Sequence, residues 1–424
     1  MRTAPSIVES PVFPTFRTLL RLAFAGMVVF GSPVRGQAMS PPAAPAPIDP
    51  AALQAATDLA ANFLMSQARD DGRFVYWIHL DPAISVPPRY NWLRHAGALY
   101  ALSDYYHLTN RRDVVPVIER AVDYMRNWSM APVVAIPGAL AVWSDGEVTG
   151  ATSPLTAKLG AAGLGLTALT ALNRIKPGSV PADELNGLAR FAIAMQKPDG
   201  AFYSKFIPSQ GGRRDDWTSL YYPGEAALGL TELYDMDRKA DWLTSARKTL
   251  HYLSESRRDQ IEVPADHWAL IATRRIWPYL DEADRTVFKR HTRQIVESIL
   301  SEQIWDEKSL AHGGFARDGR TTPSATRLEG LMAAEFLFRD EPEFHRKLEI
   351  SVSWGVFFVM KAQLKTGKYR GAVPRAIARI NSLHPDARAF NIRAREVRID
   401  YVQHALSAFI EYRTILARLR QARR

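Results

Sequence analysis

The sequence predicts an all-α protein whose folded part is an (α/α)6 barrel, in which six helical hairpins form an inner and an outer ring. Three observations lead to this prediction: apolar segments of helical length recur six times, more polar amphipathic segments alternate with them, and a Gln…Asp-Gly-x-Phe turn repeats. Of the 424 residues, 47% are hydrophobic and 23% are charged. This composition is typical of a globular protein.

Residues 1–38 have the pattern of an export signal peptide. Two arginines precede an apolar stretch, 22–30, that is too short to span a membrane, and small residues follow at a cleavage point. Residues 39–50 are rich in Pro and Ala and are predicted to form a linker, so the folded domain is expected at 51–424. We therefore expect a periplasmic or secreted protein with no transmembrane segment in its mature form.

Cysteine content and charge exclude several classes of function. The chain has no cysteine, which excludes disulfides, zinc–thiolate sites, iron–sulfur clusters and thiol nucleophiles. No HxxxH or HExxH spacing is present, so neither a metal nor another cofactor is predicted. The formal net charge of +10 is concentrated near the two ends of the chain, where residues 1–38 and 413–424 are rich in arginine. The body is close to neutral, so no nucleic-acid partner is expected.

Six apolar segments rich in small residues are predicted to form the inner ring, because helices that are apolar on most faces are buried. They begin near Arg94, Lys158, Tyr222, Asp266, Thr326 and Asp400. Six amphipathic segments with apolar residues at helical spacing are predicted to form the outer ring. These lie at 51–68, 113–129, 183–196, 238–256, 284–303 and 341–363.

The repeated turns follow predicted outer helices. The two clearest copies are Gln67-x3-Asp71-Gly72-x-Phe74 and Gln196-x2-Asp199-Gly200-x-Phe202, and weaker copies follow Gln303 at Gly313-Gly314-Phe315 and Gln363 at Gly367-x-Tyr369. Glycine accepts positive φ, so we expect tight turns whose aromatic residue packs on the neighbouring hairpin. These turns are predicted to belong to the scaffold.

The six buried helices and these turns resemble those of the six-hairpin glycosidase and terpenoid-cyclase toroid superfamilies. The resemblance covers roughly residues 51–420 and is architectural, since no catalytic motif of one family matches residue by residue. A terpenoid cyclase is disfavoured, because the aspartate-rich runs of those enzymes are absent and Asp215-Asp216 is a lone pair.

Loop lengths indicate which end of the barrel carries the site. The connections from outer to inner helices are mostly long, and long loops on one face usually build a site. We therefore expect a ligand-binding cleft where the inner helices begin. The catalytic candidates there are Tyr222, Glu225, Asp266, Asp400, Tyr401 and His404. The candidates for substrate binding are Trp92, Arg94, His95, Lys158, His267, Arg327 and Glu329.

Three functions fit these residues. The first is a glycoside hydrolase acting on a polysaccharide, with Glu225 as the acid and Asp400 or Asp266 as the base. Asp266 and Asp400 also fit helix caps. The second function is a lyase or epimerase acting on uronic acid residues, nearly level with the first. Its cations would be Arg94, Lys158 and Arg327, and its proton carriers would come from His95, Tyr222, His267, Tyr401 and His404.

The third function is a non-catalytic toroid that binds a polymer during export or assembly. In all three cases the expected partner is an oligo- or polysaccharide. Four tryptophans near the long loops fit either stacking on sugar rings or core packing, and the sequence leaves these alternatives open: Trp92, Trp143, Trp217 and Trp268.

Overall fold

The computed structural model describes residue 43 and residues 45–422. The predicted signal peptide, 1–38, and much of the predicted linker lie outside the described residues. Within those residues the chain forms fourteen α-helices: α1 (Pro50–Gln67), α2 (Trp92–Thr109), α3 (Val115–Ser129), α4 (Gly146–Thr149), α5 (Leu159–Ile175), α6 (Ala182–Ala194), α7 (Tyr222–Asp237), α8 (Ala240–Ser256), α9 (His267–Ile276), α10 (Glu282–Ser301), α11 (Thr321–Ala334), α12 (Pro342–Ala362), α13 (Ala387–Arg393) and α14 (Ile399–Ala422).

Six of these helices form a closed inner ring. Each of α2, α5, α7, α9, α11 and α14 packs against the next, and α14 packs against α2 to close the ring. The outer ring consists of α1, α3, α6, α8, α10 and α12, which alternate with the inner helices along the chain. The predicted (α/α)6 barrel is confirmed, and the apolar side chains between the two rings form one continuous core.

One helix boundary differs clearly from its prediction. Helix α11 begins at Thr321 instead of near Thr326. The hydroxyl of Thr321 donates to the carbonyl of Pro374 at 2.6 Å, which ties the start of the helix to a neighbouring loop. Pro323 does not break the helix, because it lies in the first turn, where its missing N–H has no intrahelical partner to lose.

The long loops contain short strands that the sequence analysis did not predict. They are β1 (Trp77–His79), β2 (Met130–Pro132), β3 (Leu140–Ser144), β4 (Thr156–Lys158), β5 (Lys205–Ile207), β6 (Gly212–Arg214) and β7 (Glu396–Arg398). Strands β2 to β6 form an antiparallel sheet in sequence order, and β1 pairs antiparallel with β7. Strands of three to five residues are too short to show a clear alternation of apolar and polar residues.

The repeated turns lock neighbouring outer helices together. Gly72 and Gly200 have φ values of 88° and 99°, and Phe74 and Phe202 are buried, so the predicted scaffold turns are confirmed. A Cβ atom at Gly200 would lie 2.5 Å from the carbonyl oxygen of Lys248 on α8. The turn therefore needs glycine for both its backbone angle and its close approach to the next outer helix.

The weakest predicted copy of the turn needs a correction. Gly367 has open space around it, whereas Gly371 approaches the backbone of Leu59 on α1 as Gly200 approaches α8. Gln363 donates to the carbonyl of Ala56 at 2.9 Å and so joins α12 to α1. The glycine that packs closely in this copy is therefore Gly371, which lies further from the glutamine than the repeat predicted.

Within residues 45–422, no helix combines the length and the apolar character needed to cross a membrane.

We expect Gly200→Val to lower the free energy of unfolding by about 3 kcal/mol. Valine is strained at the positive φ of this position, and its side chain would also clash with the backbone of α8. Gly178→Ala is the matched control: Gly178 also has positive φ, at 80°, but a Cβ added there would meet no atom within 4 Å. This control should cost only about 1 kcal/mol. Thermal unfolding measures both changes, and equal losses would show that the contact with α8 is unimportant.

Candidate active site

An ion pair joins the first and last inner helices at the end of the barrel where the inner helices begin. Nε of Arg94 on α2 lies 3.5 Å from Oδ2 of Asp400 on α14, and Nη2 of Arg398 donates to the same oxygen at 2.6 Å. Burial acts to raise the pKa of Asp400, but the charges of Arg94 and Arg398 outweigh it and hold the pKa below its usual value. The fully buried carboxyl group is therefore ionised.

Two histidines and a glutamate meet beside this ion pair. They are His267 on α9, Glu329 on α11 and His404 on α14, and all three are buried. Nδ1 of His404 lies 2.7 Å from Oε2 of Glu329, and Nε2 of His267 lies 3.9 Å from the same oxygen. The two imidazole rings are 5.5 Å apart between centroids. Polar side chains from α9, α11 and α14 thus meet in one cluster.

The two histidines in this cluster differ in their hydrogen bonding. Both ring nitrogens of His267 are buried and have no hydrogen-bond partner. Burial, and then the charges of His404, Arg327 and Arg94, lower the pKa of His267 well below its usual value, so its ring is neutral. His404 instead faces the Glu329 carboxylate through Nδ1. Burial raises the pKa of Glu329, and the charge and hydrogen bond of His404 oppose this effect. When Glu329 is ionised, it selects the Nδ1–H tautomer of His404 and leaves Nε2 as the acceptor.

Glu225 on α7 is also a buried carboxyl group, but its pKa is shifted in the opposite direction to that of Asp400. Burial raises the pKa of Glu225 to about 8, although the charge of Arg94 partly opposes this effect. Its Oε2 atom has no hydrogen-bond partner. Any side chain at Gly160 on α5 would collide with this carboxyl group and with the ring of Tyr222. The glycine in the apolar segment of α5 therefore makes room for a protonated carboxyl group.

Tyrosines surround the same cluster. The guanidinium of Arg398 lies 4.5 Å from the ring centroid of Tyr401, and burial raises the pKa of this tyrosine to about 12. Burial also raises the pKa of Tyr222. The ring of Tyr221, which the sequence analysis did not select, contacts His267 edge-on at 5.0 Å. All three phenols remain protonated at neutral pH.

Positive charge is concentrated around the opening of the barrel. Lys158 ends β4 directly opposite Lys205 on β5. Burial lowers the pKa of Lys158, and the charges of Lys205 and Arg94 lower it further, which shows how closely these cations approach each other. Arg327 donates from Nε to Glu302 at 2.6 Å. The opening therefore favours an anionic ligand.

Three predicted site residues belong to the framework. His95 is fully buried, with Nδ1 2.6 Å from the hydroxyl of Tyr90 and Nε2 2.8 Å from the carbonyl of Ala121. Trp92 is buried beside it. Asp266 caps α9 by accepting from the amide of Ala269. It also accepts from Arg257 at 2.9 Å. These contacts explain the burial of all three residues by structure alone, and their roles in binding or catalysis stay predictions.

The four predicted tryptophans divide into three buried residues and one partly exposed residue. Trp92 and Trp268 are core residues, and Trp143 is also buried. Trp217 remains 45% exposed, lies 5.8 Å from the ring of Tyr222, and carries the ammonium group of Lys205 over its face. Of the four, Trp217 is therefore the one placed to stack on a ligand at the opening.

The sequence analysis also missed Arg398 and Arg257, the arginine partners of Asp400 and Asp266. Arg398 lies two residues before Asp400. This spacing could have indicated that the two charged groups lie on one side of the chain. Arg257 gave no comparable signal, because it follows α8 and meets Asp266 only through the path of the intervening loop.

The cluster of His267, Glu329 and His404 also offers a possible set of metal ligands. One donor atom from each residue lies within 4.8 Å of the others, and two imidazoles with one carboxylate are a common catalytic zinc set. However, the 2.7 Å separation of His404 and Glu329 is that of a hydrogen bond. Both side chains would have to turn to share an ion. The prediction that the protein uses no metal stays a prediction.

No protein-family model matches this chain. No curated protein matches it either.

Solved structures do show the fold. A sugar epimerase from a ruminal bacterium is 12% identical, with a TM-score of 0.60 over 86% of this chain and 98% of that chain. An inactive variant of the α-1,6-mannanase GH76A of a Salegentibacter species, in complex with α-1,6-mannotetrose, is 9% identical, with a TM-score of 0.56 over 86% and 98%. An unsaturated glucuronyl hydrolase specific for heparin is 13% identical, with a TM-score of 0.56 over 87% and 98%.

These structures share the α/α toroid fold with this chain, so the predicted architectural resemblance is confirmed at the level of the fold. The proteins act on saccharides through different reactions, which include epimerisation and hydrolysis. The shared fold therefore defines the class of structure, and the reaction of this chain has to be argued from its own site.

The raised pKa of Glu225 makes stability depend on pH. The unfolded carboxyl group ionises near its ordinary pKa of 4.5, whereas the folded one stays protonated up to about 8. The stabilising contribution of the protonated group is complete below pH 4.5 and is lost as pH rises to 8. We expect wild type to lose about 1.4 kcal/mol per pH unit relative to Glu225→Gln over this window. Denaturant unfolding at pH 5, 6.5 and 8 measures the difference, and parallel curves would contradict the assignment.

Proposed function

We propose that this protein is a carbohydrate-active enzyme that moves a carbon-bound proton on an acidic saccharide, as an epimerase or a lyase does. The observation that carries the proposal is the cluster of His267, Glu329 and His404, with Arg94 and Arg327 close enough for their charges to act on His267. One imidazole is oriented by a carboxylate and the other is neutral with both nitrogens unpaired. The epimerases among the structural relatives are consistent with this proposal.

The proposed reaction begins at the carbon next to the carboxylate of a uronic acid residue. Arg94 and Lys158 bind this carboxylate and stabilise the negative charge that develops when the proton leaves. Nε2 of His404 accepts the proton, and Glu329 stabilises the imidazolium that forms.

Two outcomes follow from the resulting carbanion. In epimerisation, a second group such as Tyr401 returns a proton to the opposite face of the carbon, and the bonds to oxygen are unchanged. In elimination, the electron pair forms a carbon–carbon double bond and expels the neighbouring glycosidic oxygen, which takes a proton from Tyr401. This phenol is protonated at neutral pH, so it can act as the acid.

A glycoside hydrolase is the second candidate, and Glu225 is the observation that favours it. A buried carboxyl group with a pKa of about 8 beside an ionised Asp400 is the division of roles that glycosidic cleavage requires. However, Asp400 is bound by Arg94 and Arg398, which lower its basicity. This ion pair makes Asp400 a poor base, and for that reason we rank proton transfer by imidazole first.

Substitutions distinguish the two reactions. If the enzyme transfers a carbon-bound proton, His404→Ala should lower kcat by at least about 100-fold, because the general base is lost. Glu225→Gln should then cost much less. If it is a hydrolase, Glu225→Gln should remove nearly all turnover and His404→Ala should cost less. Turnover is measured on neutral and uronic-acid polysaccharides, with ultraviolet detection of unsaturated products.

His107→Ala is the matched control, because His107 lies exposed near the far end of α2 and should leave kcat unchanged. Tight binding of a polysaccharide by the wild type, with no product from either class, would contradict both reactions and favour the non-catalytic toroid. The location we propose is the periplasm or the outside of the cell, and the sequence pattern of residues 1–38 supports it.

A further inference from the structure

Three extended segments lie side by side at the rim of the opening and bring distant arginines together. Arg320 forms an isolated bridge with Ala376. The amide of Thr321 donates to the carbonyl of Arg375 at 2.9 Å, and the amide of Arg375 donates to the carbonyl of Glu396 at 2.7 Å. The start of α11, the loop before α13 and strand β7 therefore form one continuous edge.

This edge carries more positive than negative charge. Arg320 pairs with Asp318 at 2.8 Å and Arg393 pairs with Glu396 at 3.0 Å. Within residues 45–422, Arg317 has no ion pair, and Nη1 of Arg375 is buried without a hydrogen-bond partner. The arginines of this edge are called the arginine rim below, and they are Arg317, Arg320, Arg327, Arg375, Arg393 and Arg398.

A cavity of about 480 Å³ opens onto the arginine rim. Its walls include Arg317, Arg320 and Arg327, with Asp318 as their single acidic neighbour in the lining and Phe315 and Pro323 as apolar surface. Arg327 lies two residues before Glu329, and its charge contributes to the lowered pKa of His267. Arg327, in the wall of the cavity, therefore lies near enough to His267 for its charge to act on that ring.

We infer that the arginine rim is a second binding subsite for an acidic group, so that the substrate is an oligo- or polysaccharide with acidic groups on more than one sugar. This inference deepens the proposed function and rests on it for the identity of the first sugar. Arginine binds carboxylate and sulfate groups through planar, paired hydrogen bonds, which lysine does not provide. A neutral polysaccharide would leave this excess of positive charge unmatched.

The shape of the site favours a saccharide over a nucleic acid. Arg317, Arg320 and Arg327 line one cavity together, whereas nucleic-acid binding needs a broad basic surface that tracks a phosphate backbone. The aromatic surface beside the cations is limited to side chains such as Trp217 and Tyr222, which suit a short stretch of sugar rings.

The test removes the two exposed arginines of the cavity in the full chain, as Arg317→Ala with Arg320→Ala. The probes are tetrasaccharides of galacturonate, mannuronate, guluronate and glucuronate-containing polymers, together with their monosaccharides and carboxyl-reduced forms. We expect the wild type to bind at least one acidic tetrasaccharide, and the double variant to bind it at least about tenfold more weakly. The carboxyl-reduced form should bind both proteins equally weakly.

The matched control is Arg346→Ala with Lys347→Ala, which removes the same charge from the exposed surface of α12 and should leave binding unchanged. The wild type should also lose affinity for the tetrasaccharide more steeply with added salt than the double variant does. Circular dichroism and thermal unfolding of each variant establish that the fold is retained.

Several results would overturn the inference: no acidic tetrasaccharide binds the wild type, the double variant binds as tightly as the control, or a DNA oligonucleotide of equal charge binds as tightly as the tetrasaccharide.

Failure of the proposed function would give a different set of results. If binding depends on Arg317 and Arg320 but turnover is unaffected by His404→Ala, the subsite stands and the proposed reaction fails. If His404→Ala removes turnover while the double variant binds the tetrasaccharide as tightly as the wild type, the proposed reaction is supported and the second subsite is contradicted.

Discussion

The inner ring closes where α14 packs against α2, and the ion pair between Arg94 and Asp400 lies on that seam. The Asp400 carboxyl group of this pair is buried and the Arg94 side chain is 30% exposed. Such a pair is a weak source of stability, because the cost of removing the carboxylate from water offsets much of the attraction. Its value lies in position. The pair fixes the relative placement of the first and last inner helices at the end where the polar side chains converge. It also brings Arg94 close enough to affect the pKa values of Glu225 and His267.

Burial and the charges of nearby arginines together give neighbouring groups different protonation states. Asp400 is ionised, Glu225 is protonated and His267 is neutral at pH 7, although all three are almost completely buried. The difference arises from the partners of each group. Two guanidinium groups contact Asp400, whereas Oε2 of Glu225 has no hydrogen-bond partner. This end of the barrel thus holds a protonated acid in Glu225, a neutral imidazole in His267 and a fixed anion in Asp400. This combination is what proton transfer on an anionic sugar requires.

The sequence predicted the inner ring and the outer helices, because repeats and helical periodicity are local patterns. It did not predict which polar residue at each helix start faces the opening. Arg94 and His95 are adjacent, yet Arg94 reaches Asp400 across the seam and His95 points to the backbone of α3. That choice depends on the rotation of α2 about its axis, which packing decides. The short strands and the arginine rim depend on contacts between distant loops, which no local pattern records.

The central claim is that this cluster moves a proton on carbon. Incubating the enzyme with an acidic oligosaccharide in D2O containing 18O-labelled water separates carbon chemistry from hydrolysis. For epimerisation we expect deuterium at the carbon next to the carboxylate, and for elimination we expect an unsaturated product with no 18O at its anomeric carbon. His404→Ala should give neither result. Incorporation of 18O at the anomeric carbon of a cleaved product, with no deuterium on carbon, would contradict the central claim.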